Sequence, residues 1–396
     1  MSAVPNLELQ MTLLLFFALA GYLLASKINQ SAVVGEIILG LIVGPSVLGL
    51  ITYTEFVQAI AGLGAVILMF VIGFEFEIKD LTNIRYGIIG LIGIIIPWLG
   101  GYFVSLAFGY SPESALFIGT ALTATSIAIT ANVLKEMCLL DTDVAKAIIG
   151  TAVIDDILSL LALSVTADVA SGSFTPEGFI LIIVKQVGFL ILIALVGILF
   201  VSKLIRKMDK SPIAKKYPEF VFIFAVMTAF LFAALSEFIG ISAIIGAFIA
   251  GVSFNGINLE HSHDLAEGAE YLYIIFASVF FVSLGILVDL KVLTAPVLVF
   301  ISVITVIAII TKVVGCGIPA KILGYCGRDS LAIGFGMSPR GEVAMIVALL
   351  GLNLSLIGQE VYASIVVMSL LTTIATPLVF RNWLFKKEVM ECRLEE

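Results

Sequence analysis

Two adjacent aspartates, Asp155 and Asp156, lie in the middle of a strongly apolar stretch over 144–169. A charge in the hydrocarbon core of a bilayer is costly, so an acidic side chain there is a functional candidate by default. A shielded carboxylate can hold a proton near neutral pH, or release it and bind a hard cation through oxygen. If only its loaded forms cross a membrane, such a site exchanges the cation for the proton. The alternative is a pair retained for helix packing.

The two carboxylates are expected to have different roles. Consecutive helical positions point about 100° apart, so the two acids face different surroundings. Lys312 lies inside another apolar stretch, 294–324. An ion pair between Lys312 and Asp155 would offset both charges. A lysine that extends to the membrane interface is the alternative.

The composition places these residues in a membrane protein. Apolar residues make up 61% of the 396-residue chain, charged residues make up 13%, and the mean hydropathy is +1.18. Soluble proteins have about a quarter charged residues. No basic patch interleaved with aromatics is present, which argues against nucleic-acid binding. The sequence contains no phosphate-binding Gly-x-x-x-x-Gly-Lys loop, so we expect an ion gradient to supply the energy.

We predict an all-α polytopic membrane protein with about 13 transmembrane helices, since a span needs roughly 20 apolar residues. The predicted segments, numbered 1 to 13, are 9–26, 32–51, 56–75, 85–108, 113–134, 144–169, 178–205, 218–237, 240–256, 269–288, 294–324, 330–352 and 358–384. Most of the 21 Lys and Arg residues fall in loops after odd-numbered segments. Because cytoplasmic loops collect basic residues, the N-terminus is predicted outside and the C-terminus in the cytoplasm.

Segments 5 and 12 are predicted to be discontinuous helices. Segment 5 contains the hydroxyl-rich run TATS at 123–126, and segment 12 contains SPRGE at 338–342. Proline and glycine interrupt the helical hydrogen bonds, and hydroxyls can satisfy the freed backbone groups. Discontinuous helices in corresponding halves of a transporter mark its binding site.

These interruptions add further candidate site residues. Thr125 and Ser126 are predicted to contact the ion, with ordinary small-residue packing as the alternative. Arg340 and Glu342 are predicted to offset partial charges at the free helix ends. Glu75, at the end of segment 3, is a candidate for the cytoplasmic entrance to the site.

Weak internal similarity relates segments 2 and 3 to segments 9 and 10. GLIVG at 40–44 is similar to GAFIAG at 246–251, and MFV at 69–71 followed by Gly73 is similar to FFV at 280–282 followed by Gly285. A shift of seven segments means that the two copies run in opposite directions. Inverted repeats of this kind are the architecture of many secondary transporters.

Six stretches together resemble the second cation/proton antiporter family, which includes the NapA-type sodium/proton antiporters and the Kef potassium systems. They are VGEIILGLIVGPSVLG (34–49), TATS (123–126), IDDI (154–157), ISAIIGAFIAG (241–251), FFVSLG (280–285) and PRGE (339–342). They follow one another in the family's order and span nearly the whole chain.

This resemblance implies an architecture for the single transmembrane unit over 1–396. It has thirteen helices, inverted repeats, and crossed discontinuous helices 5 and 12. The core comprises 56–169 and 269–384, the dimerisation domain 1–55 and 218–256, and the linker helix with its basic loop 178–217. The resemblance also implies elevator-like alternating access in a homodimer.

The resemblance further implies roles for individual residues. Asp156 matches the carboxylate that binds either Na⁺ or a proton, and Asp155 matches the acid paired with a lysine, here Lys312. Thr125 lies near a ligand position that is acidic in related exchangers. The expected partners are Na⁺ or Li⁺, protons and the lipid bilayer of the cell membrane, with no cofactor, no enzymatic activity and no nucleic acid.

Three alternatives remain open from the sequence. One is a potassium/proton antiporter or a Kef-like potassium efflux system, although Kef systems usually append a soluble regulatory domain. Another is an intramembrane aspartyl protease, but its two aspartates must converge on one water molecule, and adjacent residues on one helix diverge. The third is a sodium-coupled solute symporter.

Overall fold

The computed structural model of the protein describes residues 6–28, 30–74, 83–171, 176–217, 219–255, 257, 265–288 and 294–386. Every regular element in these ranges is helical, and none of them contains a β-strand. The predicted all-α class is therefore confirmed for the described chain. Glu75 lies outside these residues.

The helices follow the apolar stretches of the sequence. They are α1 (Leu7–Lys27), α2 (Ala32–Val43), α3 (Glu55–Gly73), α4 (Ile84–Ala107), α5 (Pro112–Ala121), α6 (Ile127–Glu136), α7 (Asp143–Ser171), α8 (Pro176–Val196), α9 (Ser202–Asp209), α10 (Pro212–Lys216), α11 (Glu219–Ile239), α12 (Ala243–Val252), α13 (Leu265–Ile286), α14 (Ala295–Ile322), α15 (Gly327–Gly336), α16 (Glu342–Asn353) and α17 (Gln359–Val379). One π-helical turn (Gly197–Val201) joins α8 to α9, and another (Phe380–Leu384) follows α17.

Eight helical stretches within the described residues are long and apolar enough to cross a membrane. They are Leu7–Lys27, Glu55–Gly73, Ile84–Ala107, Ile180–Asp209, Glu219–Ile239, Glu267–Ile286, Ala295–Ile322 and Gln359–Leu384. Each corresponds to one predicted segment. The remaining predicted segments fold as the short helices α2 and α12, as the interrupted pairs α5–α6 and α15–α16, and as α7 with its acids. The count of thirteen therefore stays a prediction.

The chain divides into two compact units. The first contains Met1–Tyr53, Leu81–Phe179 and Val282–Glu396, and the second contains Thr54–Asp80 and Ile180–Phe281. Asp155, Lys312 and both interrupted helix pairs belong to the first unit. The predicted assignment of ranges to core, linker and dimerisation parts is not tested by this division.

Glycines let helix backbones touch inside the first unit. A Cβ atom on Gly40 of α2 would lie 2.0 Å from the carbonyl oxygen of Val282, and one on Gly285 of α13 would lie 2.1 Å from that of Ile37. No side chain fits at such distances, so only glycine permits this approach. Close backbone contact of this kind drives helix association in lipid, where the hydrophobic effect between helices is absent.

The second unit contains the corresponding contact between the other members of the two repeats. A Cβ atom on Gly251 of α12 would lie 2.1 Å from the carbonyl oxygen of Phe70, and one on Gly73 of α3 would lie 2.4 Å from that of Phe248. Segment 2 thus packs on segment 10, and segment 9 packs on segment 3. The glycines matched between the repeats meet crosswise.

We expect Gly285→Val to lower the apparent melting temperature of the detergent-solubilised protein, because overpacking of this kind costs about 1–3 kcal/mol. The matched control is Gly62→Ala in α3, where an added Cβ meets nothing within 4 Å. That change should leave the melting temperature unchanged or raise it, since alanine favours the helix. Equal melting curves for the two variants would contradict the close α2–α13 contact.

Candidate functional site

The two aspartates lie near the middle of α7, about 18 Å along the helix axis from its first residue. Both side chains are buried, with 0% of Asp155 and 4% of Asp156 exposed. Consecutive positions on the helix direct them to different neighbours, as the sequence predicts. The site is therefore built around two carboxylates with separate surroundings.

Asp155 forms a buried ion pair with Lys312 of α14. The Lys312 Nζ atom lies 2.6 Å from Asp155 Oδ1, and neither side chain is exposed. The other carboxylate oxygen, Asp155 Oδ2, is buried without a hydrogen-bond partner among the described residues. Lys312 thus points into the protein instead of extending to the membrane interface.

A glycine on α4 makes room for this pair. A Cβ atom on Gly93 would lie 2.4 Å from the Sγ atom of Cys316 and 4.0 Å from Lys312 Nζ. Cys316 is fully buried and lies one helical turn after Lys312 on α14. Neither Gly93 nor Cys316 was a candidate from the sequence, although the spacing of four residues between Lys312 and Cys316 could have indicated a shared helix face.

The two interruptions contact each other through the backbone. The Ser126 amide between α5 and α6 donates to the carbonyl oxygen of Pro339 between α15 and α16, at 2.9 Å. A Cβ atom on Gly341 would lie 2.7 Å from both the Cβ and Oγ atoms of Ser126. Gly341 is therefore needed for the approach of the two connecting segments.

Threonine hydroxyls donate to the backbone carbonyls at the end of α15. Thr130 donates to the carbonyl oxygen of Gly336 at 2.6 Å, and Thr125 donates to that of Met337 at 3.1 Å. Thr376 of α17 donates to the carbonyl oxygen of Phe335 at 3.0 Å. A helix end inside a membrane has no water to complete its hydrogen bonds, so these side chains take that role.

Arg340 satisfies the free carbonyls that follow α5. Its Nη1 atom donates to the carbonyl oxygens of Ala124 at 2.7 Å and Thr123 at 3.3 Å. Its Nη2 atom donates to the carbonyl oxygen of Ala308 on α14 at 3.3 Å. The side chain is 1% exposed, so the guanidinium brings a full positive charge to the negative end of a helix dipole.

The backbone of Arg340 also forms hydrogen bonds, with two threonines of α17. Its amide donates to Thr372 Oγ1 at 3.2 Å, and its carbonyl oxygen accepts a hydrogen bond from Thr373 Oγ1 at 3.0 Å. The sequence analysis did not identify Thr372, Thr373 and Thr376 of α17, or Thr130 of α6, as site residues. The signal that could have found them is the run of hydroxyls in an otherwise apolar segment.

The remaining predicted site residues have varied positions. Thr125 is buried, and its hydroxyl donates a hydrogen bond to the carbonyl oxygen of Met337. Ser126 Oγ is buried without a hydrogen-bond partner among the described residues. Glu342 begins α16, but its side chain lies outside the description. Asp156 is buried and has interaction partners.

We expect a double-mutant cycle on Asp155 and Lys312 to be strongly non-additive. Removal of one partner leaves an uncompensated buried charge, which costs about 3–5 kcal/mol. Asp155→Asn and Lys312→Met should each lower the melting temperature. The sum of these two decreases should exceed the decrease in the double variant. Additive melting-temperature changes in thermal unfolding would contradict the ion pair.

We also expect Arg340→Met to destabilise the protein strongly, because the carbonyls of Thr123 and Ala124 lose their side-chain donor and the carbonyl of Ala308 loses one of its donors. Arg85→Met is the matched control, since Arg85 is exposed at the start of α4. Thermal unfolding should separate the two variants. A melting temperature for Arg340→Met that equals that of the control would exclude the helix-capping role.

Comparison with known proteins identifies the family. The family model for the transmembrane part of sodium/hydrogen exchangers matches residues 13–386. The chain is 34% identical over 373 residues to the Na⁺/H⁺-K⁺ antiporter GerN of Bacillus cereus, which covers 91% of this chain and 94% of the relative. It is 30% identical over 381 residues to an Na⁺/H⁺ antiporter of Enterococcus hirae, which covers 95% of this chain and 97% of the relative.

The fold is similar to that of solved antiporter structures. Two structures of the sodium proton antiporter MjNhaP1 from Methanocaldococcus jannaschii match with TM-scores of 0.75 and 0.70. Sequence identity to them is 17% and 16%, and the matches cover 98% and 96% of this chain and 97% of each structure. At this identity the likeness concerns the fold. The family match over almost the whole chain shows that this protein belongs to the sodium/hydrogen exchanger family of membrane transporters.

Proposed function

We propose that the protein is a secondary active antiporter that exchanges Na⁺ or Li⁺ for protons across a cell membrane. The observation that carries the proposal is the buried Asp155–Lys312 ion pair beside the buried carboxylate of Asp156. Family membership and the names of the relatives agree with this activity. A transporter family also leaves no support for the intramembrane protease.

Competition at Asp156 is the proposed basis of exchange. Its carboxylate binds either a partly dehydrated cation or a proton, because one anionic group cannot hold both. Moving an ionised carboxylate that carries no cation or proton through the membrane costs several kcal/mol, so only loaded forms cross. This restriction alone couples cation movement in one direction to proton movement in the other.

Neighbouring groups prepare the site for a cation. Asp155 neutralises Lys312, so the ammonium does not repel an incoming cation. Thr125 Oγ1 keeps its lone pairs while its hydroxyl donates a hydrogen bond to the carbonyl oxygen of Met337, and Ser126 Oγ is a second hydroxyl ligand. Arg340 is committed to backbone carbonyls, so we assign it a compensating role beside Glu342. Glu75 is the proposed entrance residue.

The proposed architecture has thirteen membrane helices in inverted repeats, with the α5–α6 and α15–α16 pairs as the crossed discontinuous helices. The crosswise glycine contacts and the Ser126–Pro339 hydrogen bond support this arrangement. Ranges 56–169 and 269–384 form the moving core, ranges 1–55 and 218–256 form the dimerisation part, and 178–217 links them. Alternating access is then elevator-like.

The proposed setting is a homodimer in the plasma or inner membrane. The N-terminus lies outside and the C-terminus lies in the cytoplasm, as the distribution of Lys and Arg indicates. Monovalent cations, protons and the lipid bilayer are the only partners required, and no cofactor takes part.

Potassium/proton exchange is the second candidate. The printed name of the Bacillus cereus relative includes potassium beside sodium, and that relative is 34% identical to this chain. Both activities can use the same carboxylates, because either cation is a hard monovalent ion that binds oxygen. Cation selectivity has to be measured.

We expect Na⁺ and Li⁺ pulses to drive proton movement in proteoliposomes that contain the wild-type protein, and Asp156→Asn to abolish it. Asp143→Asn is the matched control, because Asp143 lies on the same helix but is exposed at its start. The variant Asp155→Asn tests whether proton movement requires the ion pair with Lys312. Proton movement is followed with a pH-sensitive dye after pulses of Na⁺, Li⁺, K⁺ and choline.

The cation series decides between the candidates. A response to K⁺ without a response to Na⁺ would move the protein to the potassium branch with the same site. A folded wild-type protein without any cation-dependent proton flux would rule out antiport and favour a symporter. Full activity in Asp156→Asn would remove Asp156 from the site.

A further inference from the structure

Two hydroxyl side chains flank Asp155 on its own helix face. Thr151 lies four residues before Asp155 on α7, and Ser159 lies four residues after it, which places each about 6 Å away along the helix axis. Residues four apart share a face of a helix. Both hydroxyl side chains are completely buried.

The oxygen atoms of this row have no hydrogen-bond partner in the part of the chain that the structure describes. The row consists of Thr151 Oγ1, Asp155 Oδ2 and Ser159 Oγ. Buried polar atoms without partners are rare in proteins and cost free energy. Three of them on consecutive turns of one helix therefore need a functional explanation.

Many buried hydroxyls elsewhere in these helices have a backbone partner. Ser105 donates to the carbonyl oxygen of Gly101 at 2.7 Å, and Thr305 donates to that of Ile301 at 2.7 Å. Donation to the carbonyl one turn earlier is the ordinary way for a buried serine or threonine to satisfy its proton. Thr151 and Ser159 do not use it, so their protons are available to another acceptor.

Asp155 Oδ2 is the acceptor that this geometry offers. The other carboxylate oxygen, Asp155 Oδ1, is bound to Lys312. A hydrogen bond to a charged oxygen is stronger than one to a neutral oxygen. On the neighbouring face, Ala152 and Leu160 occupy the positions four residues from Asp156. The hydroxyl row thus serves Asp155 and not the proposed cation-binding carboxylate.

We propose that Thr151 and Ser159 are positioning residues that donate hydrogen bonds to Asp155 Oδ2 and hold this carboxylate in place when Lys312 withdraws from it. A change of side-chain rotamer turns each hydroxyl toward the carboxylate, directly or through one water molecule. The inference rests on the proposed antiport and adds to it a step in which Lys312 withdraws from Asp155 during the cycle. It predicts an effect on turnover and little effect on cation affinity.

Transport kinetics in proteoliposomes test the inference. For the double variant Thr151→Val with Ser159→Ala, we expect at least about a tenfold lower maximal rate of Na⁺-driven proton flux, because losing even one of the two hydrogen bonds to a charged group accounts for about that factor. The Na⁺ concentration for half-maximal flux should change by less than about twofold, because the ligands of the cation remain. Thr151→Ser, which keeps the hydroxyl, should retain the wild-type rate.

Matched controls remove hydroxyls that already have a partner. Thr305→Val and Ser105→Ala delete buried hydroxyls that donate to a carbonyl of their own helix. Both should keep the wild-type maximal rate. A double variant with an unchanged rate, or with a raised half-maximal Na⁺ concentration and an unchanged maximal rate, would overturn the positioning role.

A stability measurement tests the inference without any transport. In a Lys312→Met background, Asp155 has lost its ion pair and depends on the hydroxyls. Thr151→Val should then lower the melting temperature more than it does in the wild-type background. Equal shifts in the two backgrounds would overturn the inference even if antiport is confirmed, whereas a wild-type protein without flux would overturn the proposed function alone.

Discussion

The cost of charge away from water is the constraint on which the rest of this structure depends. Asp155, Asp156, Lys312 and Arg340 are all buried among apolar helices, where an isolated charge costs several kcal/mol. Different contacts offset this cost at each residue. Lys312 and Asp155 neutralise each other, and Arg340 is surrounded by backbone carbonyls. Asp156 is buried beside this pair, and in the proposed exchange a transported cation or a proton neutralises its carboxylate.

The interrupted helices obey the same constraint for partial charges. Breaking a helix inside a membrane exposes carbonyls at one end and amides at the other. The carbonyls after α5 are bound by the guanidinium of Arg340, whereas those at the end of α15 are bound by the hydroxyls of Thr125, Thr130 and Thr376. The groups that bind the two ends therefore differ in charge. A positive group near one end and neutral groups near the other make the surroundings of the site asymmetric.

Close helix packing makes possible both the buried ion pair and the hydrogen bonds at the interrupted helices. A charge pair is stable only if no water or void separates its members, so the helices around it must approach closely. Gly93 provides the space for Lys312 and Cys316, and Gly341 provides it for Ser126. The crosswise contacts Gly40–Gly285 and Gly73–Gly251 hold other helices together in the same way. In lipid such contacts replace the hydrophobic effect as the source of helix association.

The sequence by itself determined the helical class, the place of the acid pair within a membrane stretch, and the interruption of two segments. These features depend on local composition and on single residues such as Pro339, and an apolar stretch has few alternatives in a bilayer. Only the tertiary structure decided which oxygen of Asp155 meets Lys312 and which carbonyls Arg340 binds. It also decided that Thr372, Thr373 and Thr376 support the site from α17. Those contacts join residues that are tens to hundreds of positions apart, and side-chain direction across three or more helices follows from packing, which no local pattern encodes.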